Sequence, residues 1–191
     1  MNFLKTGERN VMKKTDKKYC AYVQILEEEL VPAMGCTEPI ALAYAATKAR
    51  EVLGKIPDRM LIEASGSIIK NVKSVIVPNT DNLKGIPAAA AAGIVAGNSE
   101  KELEVISSVT KKEIEEIKEF MKKVPIEVVH VDNGLTFEII VTAYHDKSYA
   151  KVRIANYHTN IVLIEKDKDK LLEIKVEGEN EEGLTDRSLL D

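Results

Sequence analysis

The sequence predicts an α+β fold, on three observations. Apolar residues recur at helical spacing through the first two thirds of the chain. Alanines crowd two of those helical stretches, and beyond Ile126 the apolar period shortens to two. The expected architecture is a helical, alanine-rich layer, then a long amphipathic helix, then an antiparallel β-meander. By segment, residues 1–17 read as a poorly ordered leader, and 18–124 as a mainly helical, small-residue-rich part with two short strands. Residues 125–177 read as a meander packed on that part, and 178–191 as an acidic, frayed tail.

The first helix is carried by Tyr19, Tyr22, Val23, Leu26 and Leu30, and Pro32 ends it. After Ala33-Met34-Gly35-Cys36 a second helix starts, with Thr37 as its N-cap and Glu38 and Pro39 in its first turn. A carboxylate suits the helix dipole there, and proline has no amide to lose. The helix runs through Ile40, Leu42, Ala43, Ala46 and Ala49 to Leu53, and Gly54 closes it. So many alanines imply close approach of a neighbouring backbone. Arg59–Ala64 and Val72–Val77 read as short strands flanking the turn residues Ser65-Gly66-Ser67, and residues 78–85 as a loop. The run from Pro87 to Gly97 has helical propensity and side chains small enough for a tightly packed layer.

One or two helices follow between Ser99 and Val124, the second marked by an apolar stripe of Ile114, Ile117, Met121 and Val124. Ile126–Val131 then reads as a strand, and Asp132-Asn133-Gly134 as a hairpin turn. Phe137, Ile139, Val141 and Ala143 share one face of the next strand, and His145-Asp146-Lys147 turns the chain. Val152 and Ile154 alternate with Lys151 and Arg153, and a last strand pair surrounds residues 167–170. That is a meander with one wet face.

Composition narrows the functional classes. A chain of 191 residues, 45% of them apolar, can bury a real core. The net charge of -4, the absence of a basic run, only three Phe and no Trp argue against a nucleic-acid surface. No stretch of about 18 apolar residues is present to span a membrane. Met1 to Lys18 is polar and basic without a following apolar segment, which argues against a secretory signal, so a reducing, cytoplasmic location is expected. Two cysteines, Cys20 and Cys36, are too few for a disulfide framework or a complete metal site.

Few residues offer chemistry. Cys36 precedes a helix start, where amides and dipole favour the thiolate that a nucleophile or an iron ligand requires; a small buried hydrophobe suits the same position. Ser65, Ser67, Lys70 and Asn71 could hold a carboxylate, although a plain turn explains the same letters. Thr80 lies in a similar polar loop, Asn79-Thr80-Asp81-Asn82. His158, in His158-Thr159-Asn160, has a side chain suited to acid–base work near neutrality, and His130 and His145 are weaker candidates. Neither a phosphate-binding loop nor a dinucleotide fingerprint is present.

The stretch Pro32-Ala33-Met34-Gly35-Cys36-Thr37-Glu38-Pro39 resembles the signature of the cysteine desulfidase family, itself related to the alpha part of iron–sulfur serine dehydratases. Ser65-Gly66-Ser67 with Lys70-Asn71 resembles that family's Ser-Gly-Asn and Lys-Asn segment. Val77-Pro78-Asn79-Thr80 and the following alanine run resemble its Pro-x-Thr loop and alanine-rich helix, and His158-Thr159-Asn160 its His-Thr-Asn motif. The blocks occur in the family's order.

The resemblance implies a lyase that works without pyridoxal phosphate. Such an enzyme converts L-cysteine to pyruvate, sulfide and ammonia with a four-iron, four-sulfur (4Fe-4S) cluster held by three cysteines. On this chain Cys36 matches the first cluster cysteine. Ser65, Ser67, Lys70, Asn71 and Thr80 match the substrate-holding segments, and His158 the catalytic motif. Family members are roughly twice as long and carry their other two cluster cysteines in the second half, so the chain corresponds to an amino-terminal half that is inactive alone. Ser67 stands where Asn is usual. The implied partners are a small amino acid and a carboxy-terminal half, a separate subunit or a second copy. A split or truncated lyase would leave its alanine-rich helices with a large apolar face that is exposed or buried in self-association, whereas a non-catalytic oligomeric or metabolite-binding module would have a closed core.

Overall fold

The computed structural model describes residues 13–30 and 32–176, so most of the expected leader and the whole acidic tail lie outside the described residues. Residues 13–30 fall in one compact unit and 32–176 in another. In the first, α1 spans Lys17–Glu29 and closes with the Leu30 amide on the Leu26 carbonyl. Ala21 is its buried hydrophobe, while Tyr22 and Leu26 of the expected apolar stripe are exposed.

The second unit is a three-layer arrangement of sheet, helix and helix. Helix α2, Thr37–Leu53, ends at Gly54 in the left-handed conformation, as a closing glycine should. It packs on strands β3 (Glu138–His145) and β4 (Ser148–Ala155) and on helix α4 (Gly85–Ala96). Pro39 to Thr47, Ala49 and Leu53 are therefore buried, nearly all round the helix. The expected close backbone approach is present. A β-carbon placed on Gly93 of α4 would stand 2.1 Å from the Ala43 carbonyl oxygen, so only glycine fits.

Polar side chains lock the same contact. The buried Thr47 hydroxyl lies 2.8 Å from the Ala43 carbonyl and 2.9 Å from that of Gly93. Arg50 donates to the carbonyls of Ile94 and Gly97, both at 2.9 Å, satisfying the last turn of α4. Helix α5, Lys111–Lys123, packs on α4 through Ile117 and Phe120 and starts at a capping box formed by Thr110 and Glu113. A 3-10 helix, Ser99–Glu104, bridges the two.

With α2 and α5 packed on it, α4 buries Ala88 to Ala92, Gly93 and Ile94. The exposed apolar face expected of a half-enzyme is thus absent from the alanine-rich helices among the described residues. They are covered within the chain, and the core is closed.

Two further expectations are corrected. Val72–Val77 is not a strand. Ser65 instead begins helix α3, Gly66–Val72, whose Ile68 and Val72 fall four apart and face the core. Of the supposed strand, Ile76 makes a single bridge to Lys84. Nor is the sheet a pure antiparallel meander. Its order is β2-β1-β3-β4-β5-β6, with β1 (Arg59–Ala64) between β2 (Ile126–His130) and β3. β2 pairs with β1 in parallel, because the helices between them carry the chain back to the starting edge. The Asp132-Asn133-Gly134 turn therefore crosses the end of β1 rather than closing a hairpin. Asn133 supports it by accepting from the Leu135 amide and donating to Glu138.

From β3 onward the antiparallel meander is present, completed by β5 (Ile161–Lys166) and β6 (Asp169–Glu173). Ile139, Val141, Ala143, Ala150, Val152 and Ile154 form its buried face, at the alternation read from the sequence.

Because the Ala43 carbonyl leaves no room, Gly93→Ala should destabilise the chain by about 1–3 kcal/mol in urea unfolding. Thr110→Ala, which removes only the α5 cap, should cost about 1 kcal/mol. Equal and negligible effects would contradict the packing described.

Candidate functional site

One end of the sheet gathers the residues with chemical potential. There β1, β2 and β4 end and β3 and β5 begin, and α2 presents its N-terminus through Cys36 and Glu38. Cys36, rather than Thr37, occupies the N-cap, but its side chain makes no capping bond. Its thiol donates to Glu38 Oε2 at 3.1 Å instead. Asn71, exposed on α3, donates through Nδ2 to Glu38 Oε1 at 3.3 Å. His158, in the loop between β4 and β5, is half-buried with its ring edge-on to Phe137 at 4.6 Å, and lies within electrostatic reach of Glu38.

The electrostatics revise one expectation. The Cys36 thiol is raised above its ordinary value, first by partial burial of the sulfur and next by the Glu38 carboxylate, which accepts its proton and repels a thiolate charge. A helix start was expected to favour thiolate; partial burial, with the neighbouring carboxylate second, outweighs it. Burial pushes Glu38 upward too, but hydrogen bonds from Cys36, its own amide and Asn71, with attraction from His158, leave it below its ordinary value. Burial lowers His158, and Glu38 only partly opposes that. Near neutral pH the group is a protonated thiol, a carboxylate and a neutral imidazole able to accept a proton.

The other sequence candidates divide. Ser65 is buried at the start of α3. Its hydroxyl donates to the Thr136 carbonyl at 2.7 Å and accepts from the Glu138 amide at 3.3 Å, so it ties β1 to the approach of β3. Thr80 is buried and donates to the Val77 carbonyl at 2.7 Å. Its loop holds three residues at positive φ, Asn79, Asp81 and Asn82, and Pro78 lies against Gly35, just ahead of Cys36. Ser67 and Lys70 are exposed on α3.

One residue of the group was not singled out as a candidate. Glu38 joins Cys36 to Asn71, and its signal was a carboxylate two positions after a cysteine at a helix start. His130, held weakly from sequence, ends β2 with its ring against Gly66, where a β-carbon would stand 3.2 Å from Nε2.

The chain is 53% identical over 179 residues to a UPF0597 protein of Desulfitobacterium hafniense, covering 94% of this chain and 42% of that protein. It is 44% identical over 174 residues to one of Treponema denticola, covering 91% and 40%. A third, from Lachnoclostridium phytofermentans, is 46% identical over 149 residues, covering 78% and 36%.

This chain is a homologue of the UPF0597 proteins.

That family resembles the alpha subunit of iron–sulfur-dependent serine and cysteine lyases, as the motif around Cys36 implied. The chain spans less than half the length of these UPF0597 relatives. No family model matches it, and no solved structure does. Among the described residues no helix is long and apolar enough to cross a membrane. The iron–sulfur cluster that the lyase resemblance implies does not fit the described residues alone. No three His, Cys, Asp or Glu side chains among them are placed to hold a metal, and the Cys36 thiol is engaged by a carboxylate.

Two titrations follow. Alkylation of Cys36 in a Cys20→Ser background should show a pH midpoint above that of a free thiol, and Glu38→Gln should bring it down. By NMR, His158 should titrate below the ordinary imidazole value, and lower still in Glu38→Gln, where the stabilising negative charge is lost. The sign carries to stability. An imidazole that resists protonation when folded costs stability as pH falls below its unfolded value of about 6.5, reaches its full cost below the folded value, and costs nothing above about 6.5.

Proposed function

We propose that this chain is the substrate-binding part of a lyase resembling L-cysteine desulfidase, acting on a small amino acid without pyridoxal phosphate. The observation that carries the reading is the convergence of Cys36, Asn71 and His158 on Glu38 at one end of the sheet, within motifs that resemble that family in order. The substrate carboxylate is held from α3 by Ser67, Lys70 and Asn71, while Ser65 and Thr80 keep the flanking loops in shape. His158, neutral near pH 7, accepts the proton that an elimination must remove from the substrate α-carbon.

Turnover in this reading requires further residues. Cys36 alone supplies one sulfur, so any iron–sulfur cluster draws its remaining ligands from outside the described residues. A companion polypeptide, or the part of the relatives' length that this chain does not span, is the proposed source. No nucleic acid or membrane partner is proposed, and the site of action is the cytoplasm.

A second reading has a specific observation in its favour. The closed core and the protonated Cys36 suit a non-catalytic module that keeps the fold and binds a small metabolite or a second copy.

The separating experiment is anaerobic sulfide release from L-cysteine, by the chain alone and with the unmatched remainder of the Desulfitobacterium hafniense relative, each after iron and sulfide reconstitution. Release only with the remainder supports the lyase reading, and His158→Ala should then lower it by about 100-fold or more. No release and no cluster in either preparation would favour the module.

A further inference from the structure

Glu38 is half-buried at the centre of the candidate site, yet among the described residues its side-chain hydrogen-bond partners are all neutral. Asn71 Nδ2 reaches Oε1 at 3.3 Å, Cys36 Sγ reaches Oε2 at 3.1 Å, and the Thr37 hydroxyl is 3.5 Å from Oε2. Among the described residues none of the ion pairs involves it. The contrast with the buried Glu138 is instructive. That carboxylate is neutralised by Arg153 at 2.6 Å from Nε and 2.5 Å from the terminal nitrogen, and is capped by Asn133. Partly desolvated carboxylates are ordinarily matched by a cation in this way. A carboxylate offers about four acceptor directions, and the donors here, Cys36, Asn71 and the residue's own amide, are all neutral, so they occupy acceptor sites without matching the charge.

We propose that Glu38 receives the α-ammonium of the substrate, so that the site selects an amino acid with a free amino group over the same molecule without one. The proposal rests on the reading that a small amino acid binds here, and it adds which residue reads which end. The zwitterion is placed with its carboxylate toward Ser67 and Lys70 of α3 and its ammonium toward the first turn of α2. The Asn71 amide, bonded to Glu38, stands between the two poles. The substrate's side chain is then directed to the remaining neighbours, Cys36 and His158. An amino acid bearing a blocked amine loses the charge-assisted contact and meets an unmatched carboxylate instead.

The test uses the full chain, isotopically labelled, with two probes of like carboxylate and thiol, L-cysteine and 3-mercaptopropionate, followed by NMR under anaerobic conditions. L-cysteine should perturb Cys36 to Glu38, Asn71 and His158, and should bind at least about tenfold more tightly than 3-mercaptopropionate. Glu38→Gln, which keeps the volume and an acceptor for Cys36, should abolish that preference, and Glu38→Asp should keep part of it. Thermal unfolding of each variant establishes that it is folded. Equal binding of the two probes, or a preference that survives in Glu38→Gln, would overturn the role of Glu38 and leave the amino-acid site standing. If neither probe perturbs these residues, both the role and the site fall.

Discussion

The structure depends on how closely α2 and α4 approach. Gly93 sits against the Ala43 carbonyl at a separation no side chain tolerates, and Gly97 against Thr47. Thr47 shares its hydroxyl with both helices, and Arg50 fills the carbonyls that end α4. Such contacts trade large side chains for many short backbone-level ones, and dense packing of this kind tolerates little displacement. α2 is consequently held between the sheet and α4 along most of its length. Its first turn, with Cys36 and Glu38, is fixed relative to the ends of β1 and β4.

That fixed turn makes a site out of dispersed residues. Asn71 reaches Glu38 from α3, which follows β1, and His158 arrives from the loop after β4. Insertion of β1 between β2 and β3 brings His130 to the same end, against Gly66. The Glu138–Arg153 pair and the Ser65 hydroxyl hold the start of β3 beneath these loops, next to Phe137 on which the His158 ring rests. Buried ion pairs of this kind contribute less net stability than they cost when one partner is removed. Their value here is to specify where the loops leave the sheet.

Much of the fold was legible because it is written in period and side-chain size. The alanines of α2 and α4 announced a backbone-level contact, Gly54 closed a helix, and the every-second apolar residues of β3 and β4 marked a buried face. What was not legible depends on pairing at long range. Asp132-Asn133-Gly134 has the letters of a hairpin, and only the crossover helices decide that β1 lies between its strands. Ser65-Gly66-Ser67 was read as a turn, and it is the burial of Ile68 and Val72 that makes it a helix start. At the site, Cys36 and Asn71 were singled out for separate roles, and their meeting through Glu38 was not foreseen, nor was the raised thiol. The carboxylate that adds to the effect of burial there was read only as a partner for the helix dipole.

The central claim is that one small amino acid is embraced by α2, α3 and the loop between β4 and β5. A crystal structure of the chain grown anaerobically with L-cysteine tests it most directly. The account predicts the ligand between Glu38 and α3, with its side chain toward Cys36 and His158. An amino acid bound elsewhere on the chain, or Cys36, Asn71 and His158 found apart from Glu38, would contradict it.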